Sequence, residues 1–251
     1  MSVRVRFAPS PTGFVHIGSL RTALYNYLFA KHHGGVNILR IEDTDRTRFV
    51  EGAEEEIIAT CRWAGIEFDE STEKGGPFGP YRQSERTEIY REHAAMLLDN
   101  GNAYYAFDTA EDLERMNAIA KASGAKTGYN SFSRMSMKNS FTMSAEDVKS
   151  LLDSGHPHVI RFNVPRNTTV NFTDYVKGAI SFDSNNLDDK VLFKSDGMAA
   201  YHLANVVDDH LMEITHVIRG DEWVSSTPLH IMLYEAFGWD KPEFCHMPLV
   251  L

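Results

Sequence analysis

The feature that most restricts the fold is the alternation at the start of the chain. Val3 to Ala8 is a short apolar-rich run suited to a strand, and it is followed by a helical stripe from Ser19 to His33 carrying Leu20, Ala23, Leu24, Tyr27 and Leu28. Gly34-Gly35 stops that helix, Val36 to Ile41 supplies a second strand, and Ala53 to Trp63 a second helix with Glu54, Glu55 and Glu56 in its first turn and Gly65 past its end. Strand, helix, strand, helix predicts a parallel sheet with right-handed crossovers, an α/β fold. The glycine and proline cluster Gly75 to Pro80 interrupts the pattern, and a helix is expected from Ser84 to Asn100. Residues 101–197 then mix short helical stretches (Ala110 to Ala122, Ala145 to Ser154) with strand-like ones (His158 to Val164, Ala179 to Phe182, Val191 to Phe193). Beyond Ala199 the alternation returns: a helix Tyr201 to Leu211, a strand Ile214 to Ile218, a helix Pro228 to Phe237 ended by Gly238, and a strand-like run Met247 to Leu251. The simplest organisation is a sheet domain in two halves, 1–83 and 200–251, interrupted by an α+β insertion, 84–199. A chain that ends in an apolar run is expected to be a fragment of a longer protein.

Composition narrows the function classes. With 43% hydrophobic and 24% charged residues in 251, the chain has the balance of a globular protein, and no run approaches the about 18 apolar residues of a spanning helix. No membrane association and no signal peptide are expected. Cys61 and Cys245 are isolated, which argues against a disulfide framework or a cysteine zinc site and suits a cytoplasmic protein. The net charge of -10 argues against a whole-surface nucleic-acid binder, but residues 1–48 hold seven Lys or Arg against three acids, a local +4 that suits an anionic ligand.

The chemistry-bearing residues follow the first strand. Pro9-Ser10-Pro11-Thr12-Gly13 leads into Val15-His16-Ile17-Gly18-Ser19 and then the helix. Ligands of open α/β sheets sit at the carboxyl ends of strands, where a helix N-terminus offers free N–H groups to phosphate. His16 can donate to a phosphate oxygen, or it can be no more than a helix cap; Gly18 leaves bare backbone for a base or ribose. Neither GxxxxGK[ST] nor GxGxxG occurs, which excludes the P-loop and dinucleotide motifs.

Taken in order, Arg6-Phe7-Ala8-Pro9-Ser10-Pro11-Thr12-Gly13, His16-Ile17-Gly18-Ser19, Arg40-Ile41-Glu42-Asp43-Thr44-Asp45-Arg46, Gly79-Pro80-Tyr81-Arg82-Gln83-Ser84-Glu85-Arg86, Tyr201 to His210 and Val217-Ile218-Arg219-Gly220-Asp221-Glu222-Trp223 resemble a bacterial-type glutamyl-tRNA synthetase, on the glutamate rather than the glutamine branch. The resemblance implies a class I enzyme with a Rossmann-like catalytic domain and an inserted acceptor-stem-binding domain. It would activate L-glutamate with ATP and Mg²⁺, then load the terminal adenosine of tRNA(Glu), acting as a monomer in the cytoplasm without protein-bound zinc. It further implies that His16, Gly18 and Ser19 form the nucleotide motif; that Pro9, Thr12, Glu222 and Trp223 also border ATP; and that Arg6, Ala8, Ser10, Glu42, Tyr201, Asn205 and Arg219 form the glutamate site. Glu42 would hold the α-ammonium group and Arg219, helped by Arg6, the side-chain carboxylate, for which an arginine fork suits better than lysine.

Within the insertion, Arg115, Lys121, Lys126, Arg134 and Lys138 occur with no acid from Arg115 to Ala145 and with Tyr129, Phe132 and Phe141 interleaved. This composition suits a single-stranded or frayed RNA end, or equally a mobile polar loop. Asp208-Asp209-His210 has the residue types of a metal triad, but consecutive helical positions diverge, so structural roles are expected there, and core roles for Cys245-His246. The lysine motif by which class I enzymes grip ATP phosphates has no counterpart before Leu251. Two alternatives stay open: a short paralogue that attaches glutamate to a modified tRNA base, and a non-catalytic glutamate- or RNA-binding remnant.

Overall fold

A computed structural model describes residues 2–48 and 50–249. The first strand, β1 (Arg4–Phe7), is buried at all four positions and lies parallel to β2 (Val36–Leu39), with Val5 opposite Asn37. Between them runs α1 (Ile17–His32), capped by the His16 side chain. The return from α1 to β2 requires glycine at position 35, where a Cβ would lie 2.3 Å from the Val3 carbonyl oxygen. The second helix, α2 (Ala53–Trp63), follows Gly52, whose φ of 80° places it in the left-handed region.

The expected helix 84–100 is a short 3-10 turn, Gln83–Arg86, followed by α3 (Thr87–Asp99). Then come β3 (Ala103–Ala106), α4 (Ala110–Ala122), α5 (Ala145–Asp153), β4 (Val159–Phe162), β5 (Thr169–Asp174), β6 (Gly178–Asp183) and β7 (Val191–Phe193). The chain continues with α6 (Tyr201–Leu211), β8 (His216–Gly220), α7 (Thr227–Phe237) and β9 (Glu243–Met247). β3 and β5 have no counterpart among the expected strands, and the last strand begins earlier than the expected 247–251, of which 250 and 251 lie outside the described residues.

Sheet pairing redraws the expected boundaries. The order β6-β5-β9-β8 forms a four-stranded sheet in which β5, β9 and β8 are parallel and β6 is an antiparallel edge. Thr215, just before β8, joins it to the β1-β2 pair by donating its N–H to the Arg4 carbonyl (2.9 Å). Residues 169–183, assigned to the insertion by composition, therefore belong to the central sheet. The reason is local: β5 alternates exposed and buried residues, and its Val170 and Phe172 need cover, which β9 and the core residues around Leu203 and Leu233 supply. The central sheet is consequently mixed rather than wholly parallel within a Rossmann-like α/β architecture. A separate antiparallel sheet, β3-β4-β7, lies within the segment expected to be an insertion.

Candidate functional site

A cavity of about 610 Å³ opens at the carboxyl ends of β1 and β8, between the N-termini of α1 and α6. Its walls contain every one of the catalytic-domain residues singled out from the sequence: Arg6, Ala8, Pro9, Ser10, Thr12, His16, Gly18, Ser19, Glu42, Tyr201, Asn205, Arg219, Glu222 and Trp223. The location follows from topology, because parallel strands deliver loops to one edge where helix N-termini converge. Arg21, Thr22 and Arg48 also line it and were missed. Arg21 and Thr22 were findable, being one turn along α1 from Ile17 and Gly18 on the same face. Arg48 sits in a 3-10 turn, held by Asp45 at 2.7 Å, and had no comparable signal.

His16 is the N-cap of α1. Its Nδ1 accepts from the N–H groups of Gly18 (3.1 Å) and Ser19 (3.3 Å), and its Nε2 lies 3.0 Å from Ser19 Oγ. A Cβ at position 18 would sit 3.0 Å from this ring, so any larger residue there would crowd the capping imidazole, and glycine leaves the backbone open. The ring stands exposed at the cavity, where the same N–H groups can turn to an anion if it moves aside.

Behind the cavity lies a buried charge network. Arg40 is fully buried and contacts Asp209 (2.7 Å), Glu42 (3.0 Å) and, at longer range, Asp208 (3.7 Å). Arg6 forms a two-point contact with Asp209 at 3.0 and 3.2 Å. Asp209 is pushed up by burial, but Arg6 and Arg40 outweigh that and hold it below the usual carboxylate range. Arg40 loses by burial, yet its three carboxylate neighbours keep it firmly charged. Glu42 accepts from Arg40 and from Asn205 Nδ2 (3.2 Å), and burial raises its carboxyl above the ordinary value despite Arg40 and Arg6. Arg6 is thus already matched by an internal carboxylate.

Arg219 is not. It is 5% exposed, and its partners are the Nε2 of His246, the Tyr201 hydroxyl, Thr227 Oγ1 and His230 Nδ1. Burial lowers its pKa from the ordinary arginine value and raises that of Tyr201 to about 12. A buried guanidinium beside neutral groups is a site for a carboxylate from outside. The other candidate positions are structural. Asp208 accepts from Arg86, Gln83 and Tyr90, Asp209 from Arg6 and Arg40, and His210 stacks on Trp239 at 3.7 Å, so the three residues diverge. Among the described residues, no group of three or more His, Cys, Asp or Glu is arranged to hold a metal ion.

The basic stretch of the insertion is corrected in part. Arg134 is mostly buried, bonded to Asp189 (3.0 Å) and Asn163 (2.6 Å), and Tyr129 is 5% exposed, so neither presents itself to RNA. Arg115 and Lys138 are paired with Asp112, Lys126 lies 3.9 Å from Asp188, and Lys121 is in the last turn of α4. The acids that balance this stretch precede or follow it in sequence, beyond the window in which none occurs. Phe132 and Phe141 remain 54% and 44% exposed. A recess of about 700 Å³ lies here, lined by Met116, Ile119 and Phe132 with Arg115, Lys126 and Lys138 among its polar residues. It lacks the converging loop ends and buried charges of the first cavity.

Known proteins resemble this chain along its whole length. The glutamate–tRNA ligase of Christiangramia forsetii is 58% identical over 249 residues, covering 99% of this chain and 49% of its own length; that of Flavobacterium psychrophilum is 57% identical, with 50% of its length covered. The crystal structure of a glutamate tRNA ligase from Elizabethkingia meningosepticum in complex with its amino acid superposes with a TM-score of 0.97 at 53% identity, covering all of this chain and 50% of the other. The chain spans about half the length of the curated relatives it matches. The family described as tRNA synthetases class I (E and Q), catalytic domain, matches residues 2–251, and the chain belongs to that family.

Proposed function

We propose that this chain is the amino-acid-activating part of a glutamate–tRNA ligase. In this reading L-glutamate and ATP react in the cavity to give glutamyl-adenylate and pyrophosphate, and the glutamyl group then passes to the 3′ adenosine of tRNA(Glu). The observation that carries the proposal is the pairing, in one cavity, of a buried carboxylate, Glu42, with a buried cation, Arg219, that has no carboxylate partner among the described residues. A free amino acid with an acidic side chain supplies the complement to both: its ammonium group to Glu42, its side-chain carboxylate to Arg219. Tyr201 accepts from Arg219, which leaves its own proton free to donate to that carboxylate, while Asn205 orients Glu42. Ala8 and Ser10, on the loop after β1, border the same amino acid.

ATP would lie over the α1 N-terminus, against Pro9, Thr12, His16, Gly18 and Ser19, with Glu222 and Trp223 beside the adenosine. Mg²⁺ arrives with the triphosphate as part of the substrate. The chemistry asked of the protein is positioning and charge stabilisation, with no covalent intermediate on a side chain. The acceptor end of tRNA(Glu) would approach across the insertion, over Lys121, Lys126, Lys138 and Arg115 with Phe132 as a stacking surface. Isothermal titration with glutamate and with glutamine tests the reading. Glutamate alone should bind, and Arg219→Ala, checked for an intact melting transition, should abolish that binding; equal affinity for the two amino acids would refute it.

A further inference from the structure

Arg6, Arg40 and Arg86, the other buried arginines around the network, each contact a carboxylate, whereas every group that fixes Arg219 is uncharged. One of these is His246. Arg219 and His246 are register partners on the parallel strands β8 and β9, which places Nε of the guanidinium 3.0 Å from Nε2 of the imidazole. An arginine Nε–H can only donate, so Nε2 must carry the lone pair and the ring proton must be on Nδ1. That atom lies 2.6 Å from Asp174 Oδ2 at the end of β5. Asp174 is itself fixed by the backbone N–H groups of Val176 and Lys177, each at 3.0 Å, and of His246, also at 3.0 Å. Burial and the neighbouring Arg219 push the His246 pKa down to about 4, so the ring is uncharged at neutral pH. The Asp174 carboxylate thus stands behind an imidazole, where it sets the tautomer without contacting the guanidinium.

We propose that His246, its tautomer locked by Asp174, is a positioning residue that holds Arg219 in place while leaving its charge for the substrate, and that this neutral setting creates the preference for a side-chain carboxylate over a carboxamide. The inference rests on the glutamate-activating reading above. A carboxamide cannot neutralise the buried guanidinium and would set its NH₂ group against N–H donors, whereas a carboxylate neutralises the cation and presents only acceptors. Were the internal carboxylate in direct contact with Arg219, the cation would be satisfied before substrate arrived, as Arg6 is by Asp209.

The test uses the protein expressed from the complete reading frame, with amino-acid-dependent pyrophosphate exchange measured for glutamate and glutamine. In His246→Glu a carboxylate meets Arg219 directly, and kcat/KM for glutamate should fall by about 100-fold, with loss of discrimination against glutamine. His246→Phe keeps the ring and removes the acceptor, so KM for glutamate should rise about tenfold with a smaller change in kcat. His246→Gln, which can offer an amide oxygen to Arg219, should restore most of the discrimination. Asp174→Asn, which frees the tautomer without touching Arg219, should raise KM for glutamate and leave KM for ATP unchanged, and it serves if the other variants do not fold. His246→Glu and His246→Phe proteins that melt like wild type yet keep its glutamate-to-glutamine ratio would overturn the proposal. A wild-type protein that does not prefer glutamate would instead remove the functional reading and this inference with it.

Discussion

Replacing Asp208 with asparagine strikes the fold where three donors converge on one buried carboxylate. Arg86 Nε meets Oδ1 at 2.7 Å, while Gln83 Nε2 (2.9 Å) and the Tyr90 hydroxyl (2.7 Å) meet Oδ2. Asparagine keeps the shape but offers one acceptor, so its NH₂ group must face at least one of these donors, and Arg86 loses its counter-ion. Two hydrogen bonds to a charged group, at about 1.5–3 kcal/mol each, predict a loss of about 3–6 kcal/mol. Breaking a buried ion pair independently gives about 3–5 kcal/mol. For a chain of this size, about 2–4 °C per kcal/mol converts the latter to a fall in Tm of about 6–20 °C. Tyr90→Phe removes one donor and leaves the ion pair, so it should cost about 1–3 kcal/mol, and the double variant should cost less than the sum because both changes share Asp208. Thermal and urea unfolding followed by tryptophan fluorescence report all three, Trp239 being stacked on His210 two residues from Asp208. A loss below about 1 kcal/mol for Asp208→Asn would refute the reasoning from the network. So would a chelator that lowers the wild-type Tm by a comparable amount, since that would restore the metal reading of Asp208-Asp209-His210.

Two other expectations concern pH and the insertion. Glu42 has a folded pKa above its unfolded one, so its ionisation opposes folding: the associated stability is present at low pH and is lost as pH rises through the raised value. Glutamate binding runs the other way, since the substrate ammonium needs the ionised form; affinity measured by calorimetry should weaken as pH falls through that raised value, and in Glu42→Gln it should be weak at every pH. In the insertion, Arg134→Ala should lower stability by about 3–5 kcal/mol by leaving Asp189 buried and unpaired. Lys121→Ala and Lys126→Ala should change stability by less than about 0.5 kcal/mol while weakening RNA binding and flattening its salt dependence, read by filter binding at several salt concentrations.

Local signals make much of this fold legible in the amino-acid order. Ala53–Trp63 and Ala110–Ala122 have the ends that their first-turn acids and following glycines imply, and the loop between β1 and α1 lies where strand-to-helix order requires. The cavity residues are recoverable for the same reason, because their motifs are contiguous and sit at the ends of elements facing one edge of the sheet. The strands of the insertion are less legible: β3 is only four residues, and whether β5 belongs to the insertion or the central sheet is settled by a single parallel pairing, Asp174 with Phe244. Charge state is not legible at all. Arg40 and Asp209 are 169 residues apart, Arg134 and Asp189 55 apart, and His246 and Asp174 72 apart. The order of elements, the family motifs and the helix ends were determined by sequence, since they depend on neighbours within a few residues. Which arginines are neutralised and which one has no carboxylate partner among the described residues was decided by tertiary structure, because desolvation and ion pairing act between surfaces that meet only when distant segments pack.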